Sequence, residues 1–210
     1  MYITIGLLVL LGILYGYFRD KAGKKALILK AAATGMAVLA GIYGAFQAHR
    51  FADWVFVFGL VCCMTADVIL EIQFIRGVYL FGAAHLLFIL AFSQKVVPSW
   101  DTLFIFLGVY LLVLFLFRDK VGKLGEMKRP AYLYMAILIL MVSMAITVYQ
   151  HLNTREALLR SIGACCFLVS DCVIAWSLLE ERRRLVDGVV ILILYYVAVY
   201  LIGSAGWIAG

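Results

Sequence analysis

Charged residues are scarce in this sequence. Asp, Glu, Lys and Arg make up 14% of its 210 residues, whereas about a quarter is usual in a soluble domain. Proline occurs only twice, which excludes a collagen-like or proline-rich disordered chain. The 18 lysines and arginines form no stripe interleaved with aromatic residues, so we expect no nucleic-acid partner.

The sequence also lacks the common signatures of soluble enzymes and metal sites. It contains no GxSxG, HExxH or P-loop motif. It has three histidines, and two of them, His49 and His151, fall at the predicted outer ends of helices, so a zinc site is not expected. The cysteines lie inside apolar runs and are interpreted as small buried residues and not as a disulfide framework: Cys62, Cys63, Cys165, Cys166 and Cys172. We therefore predict no metal site.

Hydrophobic residues, by contrast, make up 66% of the chain, and the mean hydropathy is +1.07. A bilayer core requires about 20 apolar residues per helix. Eight runs approach that length, at 1–18, 26–46, 54–74, 78–93, 101–117, 130–149, 158–179 and 187–208. The sequence therefore predicts an all-α polytopic membrane protein, with eight transmembrane helices in a single domain spanning 1–210.

The basic residues predict the orientation of these helices. Fourteen of the 18 fall on one side of the predicted spans, and only Arg50, Lys95, Arg155 and Arg160 fall on the other. The positive-inside rule then places both termini outside the cytoplasm. Basic residues follow the first run instead of preceding it, which favours a true span over a cleaved signal peptide. The compact loops suit a bacterial inner membrane, and an endoplasmic-reticulum protein would have the same features.

A short motif occurs twice. The segment FRDKAGKK at 18–25 returns as FRDKVGKL at 117–124, with six of eight positions identical. Gly59 and Asp67 are matched by Gly163 and Asp171 at an offset of 104 residues. We therefore predict two four-helix repeats, of approximately residues 1–97 and 98–210, that share their orientation in the membrane.

Several ionisable or phenolic side chains fall inside the predicted spans. Asp67 lies nine residues before Arg76 and Asp171 eleven before Arg182, so the helical rise places them about 13 and 16 Å from the basic side. Because an ionisable group at such depth costs about 2.5–3.5 kcal/mol, both are candidate functional residues. Others predicted near that side of the membrane are Glu71, His85, Tyr195 and Tyr196.

Two carboxyl groups in an apolar site can retain one proton between them at neutral pH. One can then act as a general acid while the other stabilises a cation or activates water. The alternative for Asp67 and Asp171 is hydrogen bonding between helices, and for His85 it is the same. Glu71 could instead pair with Lys30 or Arg76. Lys30 and Arg129 are either interface anchors or ligands of a lipid phosphate.

Four segments resemble the YhhN family of eight-span membrane proteins, which includes the lysoplasmalogenases. They are GLVCCMTADVIL at 59–70, FGAAHLLFILAF at 81–92, GACCFLVSDCVIAW at 163–176 and LYYVAVYLI at 194–202. The most specific is the FxxSD match from Phe167 to Asp171. The sequence departs from the family pattern at Ala31, Ala66 and Val199, where proline, glycine and glutamine are usual. The departures at Ala31 and Val199 bear on substrate preference or on activity.

The resemblance implies hydrolysis of the vinyl-ether bond of lysoplasmalogens, with a lysophospholipid substrate inside the membrane and no cofactor. It implies that Asp67 and Asp171 are the acid and the base or stabiliser, in an order left open. The supporting hydrogen-bonding groups would be His85, Glu71, Ser170, Tyr195 and Tyr196, and the headgroup would meet Lys30 and Arg129. Two alternatives are a small proton-coupled transporter and a lipid-binding protein without turnover. The oligomeric state is not indicated.

Overall fold

The prediction of an all-α membrane protein is confirmed. A computed structural model describes residues 1–19, 21, 23, 26–180 and 184–209, and none of these residues forms a β-strand. The eight α-helices are α1 (Tyr2–Phe18), α2 (Ala26–Ala48), α3 (Phe51–Ile72), α4 (Phe74–Ser93), α5 (Trp100–Phe117), α6 (Lys128–Leu152), α7 (Arg155–Leu179) and α8 (Leu185–Ala209). A 3₁₀ segment, Val121–Met127, precedes α6. Helices α2 to α8 are long and apolar enough to cross a membrane, and α1, with 17 residues, is at the lower limit of length.

Several helices extend beyond the apolar runs because polar residues cap them. α7 begins at Arg155, three residues before the predicted start, and the Thr154 side chain accepts a hydrogen bond from the backbone of Ala157 at 3.3 Å. Asp53 and Glu156 lie in the first turns of α3 and α7, where a negative charge interacts favourably with the helix dipole. Hydropathy alone excludes such residues from a span.

The junction between α3 and α4 corrects the predicted depth of Asp67. α3 ends at Ile72, and Gln73 has φ −143° and ψ 87°, which interrupts the helix before Arg76. Asp67 is therefore five residues from the end of its helix, or about 7.5 Å by the helical rise. The estimate from Arg76 was too deep because it assumed one unbroken helix.

Short loops make successive helices alternate in direction, so the bundle has two ends. We call the end that holds residues 19, 73, 118–127 and 180 the basic end, and the other the terminal end. At the terminal end the Tyr200 hydroxyl donates to the Met1 carbonyl oxygen at 3.3 Å, which brings the start of α1 beside α8. The start of α1 and the end of α8 therefore lie at the same end of the bundle.

The core of the bundle is built from α2, α3, α4, α6, α7 and α8. α2 packs against α1, α3 and α8, and α6 packs against α5, α7 and α4. The two sets correspond when each helix is exchanged with the one four places away, so that α1, α3 and α8 become α5, α7 and α4, as a four-helix repeat would produce. The duplication of the sequence itself remains a prediction.

Glycine allows α2 and α8 to approach closely. A Cβ atom at Gly203 would lie 2.5 Å from the Ala37 carbonyl oxygen, and one at Gly44 would lie 3.0 Å from the backbone nitrogen of Trp207. Such backbone contact is typical of helices that pack through small residues in membranes. It holds α8 against α2 and so positions Tyr195 opposite the acidic residue of α3.

Candidate functional site

Asp67 is buried at the centre of a polar cluster in the basic half of the bundle. Its carboxylate accepts hydrogen bonds from the Thr34 hydroxyl at 2.5 Å and the Tyr195 hydroxyl at 2.8 Å. The Lys30 ammonium nitrogen lies 3.8 Å from Oδ1, and Asp67 is only 1% exposed. Side chains from α2 and α8 thus surround the carboxyl group of α3. They supply the pairing and the hydrogen bonds that a charge in an apolar interior requires.

Glu71 connects this cluster to the surface at the basic end. Its Oε1 atom accepts hydrogen bonds from Lys30 at 3.1 Å and from the Tyr15 hydroxyl at 3.2 Å. The Glu71 side chain is 43% exposed, whereas that of Lys30 is 9% exposed. Of the two predicted alternatives for Glu71, the pairing with Lys30 is the one observed. A row of charges therefore runs from the surface through Lys30 to Asp67.

Asp171 has a different environment. The Tyr134 hydroxyl of α6 donates a hydrogen bond to Asp171 Oδ2, and no ion pair to Asp171 is found among the described residues. Asp171 and Tyr134 are half-buried. The second acidic side chain is thus accessible to a degree that Asp67 is not.

A row of aromatic rings joins the two acidic residues. Ring centroids are 5.5 Å apart between Tyr195 and Phe167, 4.7 Å between Phe167 and His85, and 5.7 Å between His85 and Tyr134. Cys63, one turn before Asp67, is within electrostatic range of both carboxyl groups. These contacts place Asp67 and Asp171 in one region of the bundle.

The two carboxyl groups do not hydrogen-bond to each other in the part of the chain that the structure describes. Each is instead bonded to its own tyrosine, Tyr195 for Asp67 and Tyr134 for Asp171. The expectation that the pair shares one proton directly therefore has no geometric support. Separate protonation states, set by separate surroundings, are what this arrangement allows.

The other predicted site residues lie in or near this region, but no hydrogen bond from them to either carboxyl group is found among the described residues. His85 is fully buried, and its ring nitrogens have no side-chain partner among the described residues, with the Phe81 carbonyl as a nearby backbone acceptor. Ser170 donates to the Ile191 carbonyl oxygen of α8 at 3.3 Å. The buried Tyr196 hydroxyl has no partner in the described part of the chain, and its ring lies against Gly12.

The predicted headgroup ligands are in unlike positions. Lys30 is buried in ion pairs with Asp67 and Glu71, whereas Arg129 is exposed in the first turn of α6. No ion pair or hydrogen bond of Arg129 is found within the described ranges. Ala31, next to Lys30, lines an apolar groove of about 700 Å³ between α2 and α3. Alanine in place of the usual proline at position 31 therefore changes the lining of this apolar groove.

Sequence reasoning missed three hydroxyl groups of the site: those of Tyr15, Thr34 and Tyr134. These hydroxyls are uncharged, and they lie in α1, α2 and α6, outside the four segments that resemble the family. A usable signal was present, since Thr34 follows Lys30 by four residues and thus shares its helix face. For Tyr134 no comparable pattern exists, because its contact with Asp171 depends on how α6 packs against α7.

Sequence reasoning also missed an ion-pair network at the terminal end, which we call the terminal ion cluster: Arg50, Asp53, Lys95, Glu156 and Arg160. The Asp53 carboxylate accepts from Arg50 at 2.7 Å and from Arg160 at 2.6 Å. Glu156 pairs with Arg50 at 2.9 Å, with Arg160 at 2.5 Å and with Lys95. Three of the four basic residues that indicated the outer side are thus paired with acidic residues inside the bundle.

Within this cluster, burial disfavours the charged form of Lys95. Its side chain is 11% exposed, and burial, with the neighbouring Arg160, lowers the pKa of Lys95 to about 8 although Glu156 and Asp53 act in the opposite direction. The Arg160 guanidinium also lies over the Phe56 ring, 3.8 Å from its centroid. The cluster joins α3, α7 and the loop after α4.

These observations define a polytopic helical membrane protein with two acidic residues held at hydrogen-bonding distance from tyrosines inside the bundle. Among the described residues, no group of three or more His, Cys, Asp or Glu side chains could hold a metal ion. The model of the YhhN family matches residues 25–206. The chain therefore belongs to the YhhN family, as the sequence motifs indicated. Neither the comparison with curated proteins nor that with solved structures gives a match.

Proposed function

We propose that this protein is a lysoplasmalogenase-type hydrolase, which cleaves the vinyl-ether bond of lysoplasmalogens to a fatty aldehyde and a glycerophospho-base. Membership of the YhhN family supports the substrate class. The observation that carries the chemistry is the placement of two acidic side chains, each bonded to a tyrosine, around one aromatic cluster. Asp67 and Asp171 are the proposed catalytic residues.

The reaction requires an acid and a carboxylate. Cleavage of a vinyl ether begins with protonation of the alkenyl carbon, which gives an oxocarbenium ion that water captures. Glycosidases handle the same kind of cation with a pair of carboxyl groups, one acting as acid and the other as base or stabiliser. Asp67 and Asp171 provide such a pair, and no step of this chemistry requires a cofactor.

The position of the site suits a single-chain lipid. The Lys30–Glu71 pair lies between Asp67 and the surface at the basic end, where a phosphate headgroup would meet Lys30 and Arg129. The hydrocarbon chain would remain in the apolar interior of the membrane. We further propose that the basic end faces the cytoplasm of a bacterial inner membrane, with both termini outside, since most basic residues lie at that end.

Aldehyde release from lysoplasmalogen by the detergent-purified protein tests the proposal. We expect Asp67→Asn and Asp171→Asn each to lower the rate at least about 100-fold, the loss typical of a missing general acid or base. Asp101→Asn is the matched control, because the Asp101 side chain is 62% exposed in the first turn of α5. Normal hydrolysis by both site variants would refute the assignment. Uptake into proteoliposomes without chemical change would indicate a carrier, and binding without turnover a lipid-binding protein.

A further inference from the structure

The charges around Asp67 and Asp171 differ. Asp67 has the Lys30 ammonium at 3.8 Å and accepts two hydroxyl hydrogen bonds. Glu71, which shares Lys30, is also within electrostatic range of Arg19. Asp67 therefore has a counter-ion, Lys30, and two hydrogen-bond donors beside it, which together stabilise its ionised form.

Within the part of the chain that the structure describes, no cation is found to balance Asp171. Its hydrogen-bond partner is the neutral phenol of Tyr134, and among the described residues no Lys, Arg or His forms an ion pair with it. The rings and thiol nearby belong to His85, Phe167 and Cys63. A carboxylate without a counter-ion in apolar surroundings is strongly disfavoured, and such a group is neutralised by binding a proton.

From this contrast we infer that Asp171 is a neutral carboxylic acid and Asp67 a carboxylate in the resting protein. Tyr134 donates to Oδ2 of Asp171, so the acid proton resides on Oδ1. Tyr134 is thus a positioning residue that fixes which oxygen carries the proton. Thr34 and Tyr195 have the corresponding role at Asp67, where they donate to Oδ2 of a charged group.

Combined with the proposed function, on which this step rests, the inference assigns the two catalytic roles. Asp171 transfers its proton to the alkenyl carbon, forming a C–H bond and leaving an oxocarbenium ion and an Asp171 carboxylate. A water molecule adds to the cation and gives one proton to Asp67. The product of this addition is a hemiacetal. The hemiacetal hydroxyl then returns a proton to Asp171 as the C–O bond breaks, and Asp67 protonates the departing glycerol oxygen. Aldehyde and alcohol leave, and both acidic residues regain their starting states.

Infrared spectroscopy of the purified protein at neutral pH tests the charge assignment without any turnover. A protonated carboxylic acid has a carbonyl stretch that is distinct from the carboxylate bands. We expect this band in the wild-type protein, its loss in Asp171→Asn and its retention in Asp67→Asn. Lys30→Met should add a second band, because Asp67 then lacks its counter-ion and binds a proton.

Two milder variants keep the test decisive if an asparagine variant does not fold. Tyr134→Phe should move the band to higher frequency because the phenol no longer bonds to the acid, and Tyr195→Phe should leave it unchanged. A band that follows Asp67, or the absence of any such band, would overturn the inference. Hydrolysis with the band on Asp67 would refute the inference alone, whereas the expected band without hydrolysis would refute the proposed function alone.

Discussion

The Tyr195 hydroxyl donates a hydrogen bond to Asp67 Oδ2 across 2.8 Å, joining two residues that are 128 positions apart. The last helix of the chain therefore helps to hold the acidic residue of α3. Tyr134 holds Asp171 in the corresponding way from α6. Each candidate catalytic group thus depends on a hydroxyl from another helix, and the following predictions test this dependence and the packing that maintains it.

Replacement of Tyr134 by phenylalanine is expected to lower kcat for aldehyde release by about 10- to 100-fold. It removes a hydrogen bond that strengthens as Asp171 gives up its proton and becomes a carboxylate, and a hydrogen bond to a charged group is worth about 1.5–3 kcal/mol. The ring contact with His85 is retained. Steady-state kinetics should show the loss in kcat and little change in KM, because Tyr134 acts on Asp171 and not on the headgroup.

The matched control is Tyr132→Phe, two residues away on α6. No hydrogen bond of the Tyr132 hydroxyl is found in the described part of the chain, so its removal should leave kcat unchanged. Equal losses in the two variants would show that Tyr134 supports only the general stability of α6.

Replacement of Arg160 by methionine is expected to destabilise the protein by about 3–5 kcal/mol. Arg160 is 2% exposed and pairs with both Asp53 and Glu156, so its loss leaves two buried carboxylates with fewer counter-ions. Equilibrium unfolding in mixed micelles measures the change. Arg155→Met, at an exposed position five residues earlier, should shift the unfolding free energy by less than about 0.5 kcal/mol. Similar stability of both variants would show that the terminal ion cluster contributes little.

Stability should depend on pH through Lys95. Burial lowers the pKa of Lys95 from 10.5 to about 8 in the folded protein, so between these values the unfolded chain binds more protons than the folded one. The free energy of unfolding attributable to Lys95 therefore rises with pH from about 8 to 10.5. The contribution is fully present above this window and is lost as pH falls through 8.

Thermal unfolding of wild type and Lys95→Met, recorded in parallel from pH 7 to 10, isolates this contribution. We expect the difference in Tm, wild type minus variant, to increase above pH 8. Parallel curves would show that Lys95 keeps an ordinary pKa in the folded protein.

Gly203→Ala should lower the free energy of unfolding by about 1–3 kcal/mol, as overpacking does in a close-packed interior. The added methyl would lie 2.5 Å from the Ala37 carbonyl oxygen, so α8 must move away from α2. Gly108→Ala on α5 is the control, because nothing lies within 4 Å of its Cβ position. A neutral effect at Gly203 would mean that the α2–α8 contact is readily adjusted.

The class of fold and most helix positions followed from hydropathy. Apolar runs predicted all eight helices because each must present a nearly continuous apolar surface to lipid. The errors fell at the ends, as at α3 and α7, where Asp53 and Glu156 form ion pairs with basic residues from α7 and from the loops before α3 and after α4. Hydropathy assigns such residues to loops since it contains no information about their partners.

The sequence alone determined that the protein is a helical membrane protein of the YhhN type, and it identified Asp67 and Asp171 as candidates because charges inside apolar helices are costly and few. Only the tertiary structure decided what each one contacts. Lys30, Thr34 and Tyr195 surround Asp67, while Asp171 has Tyr134. Close packing at glycine brings α8 against α2, whereas the position of Tyr134 depends on how α6 packs against α4 and α7. A protonation state depends on distances of a few ångströms between side chains, and such distances come from that packing and not from the order of residues along the chain.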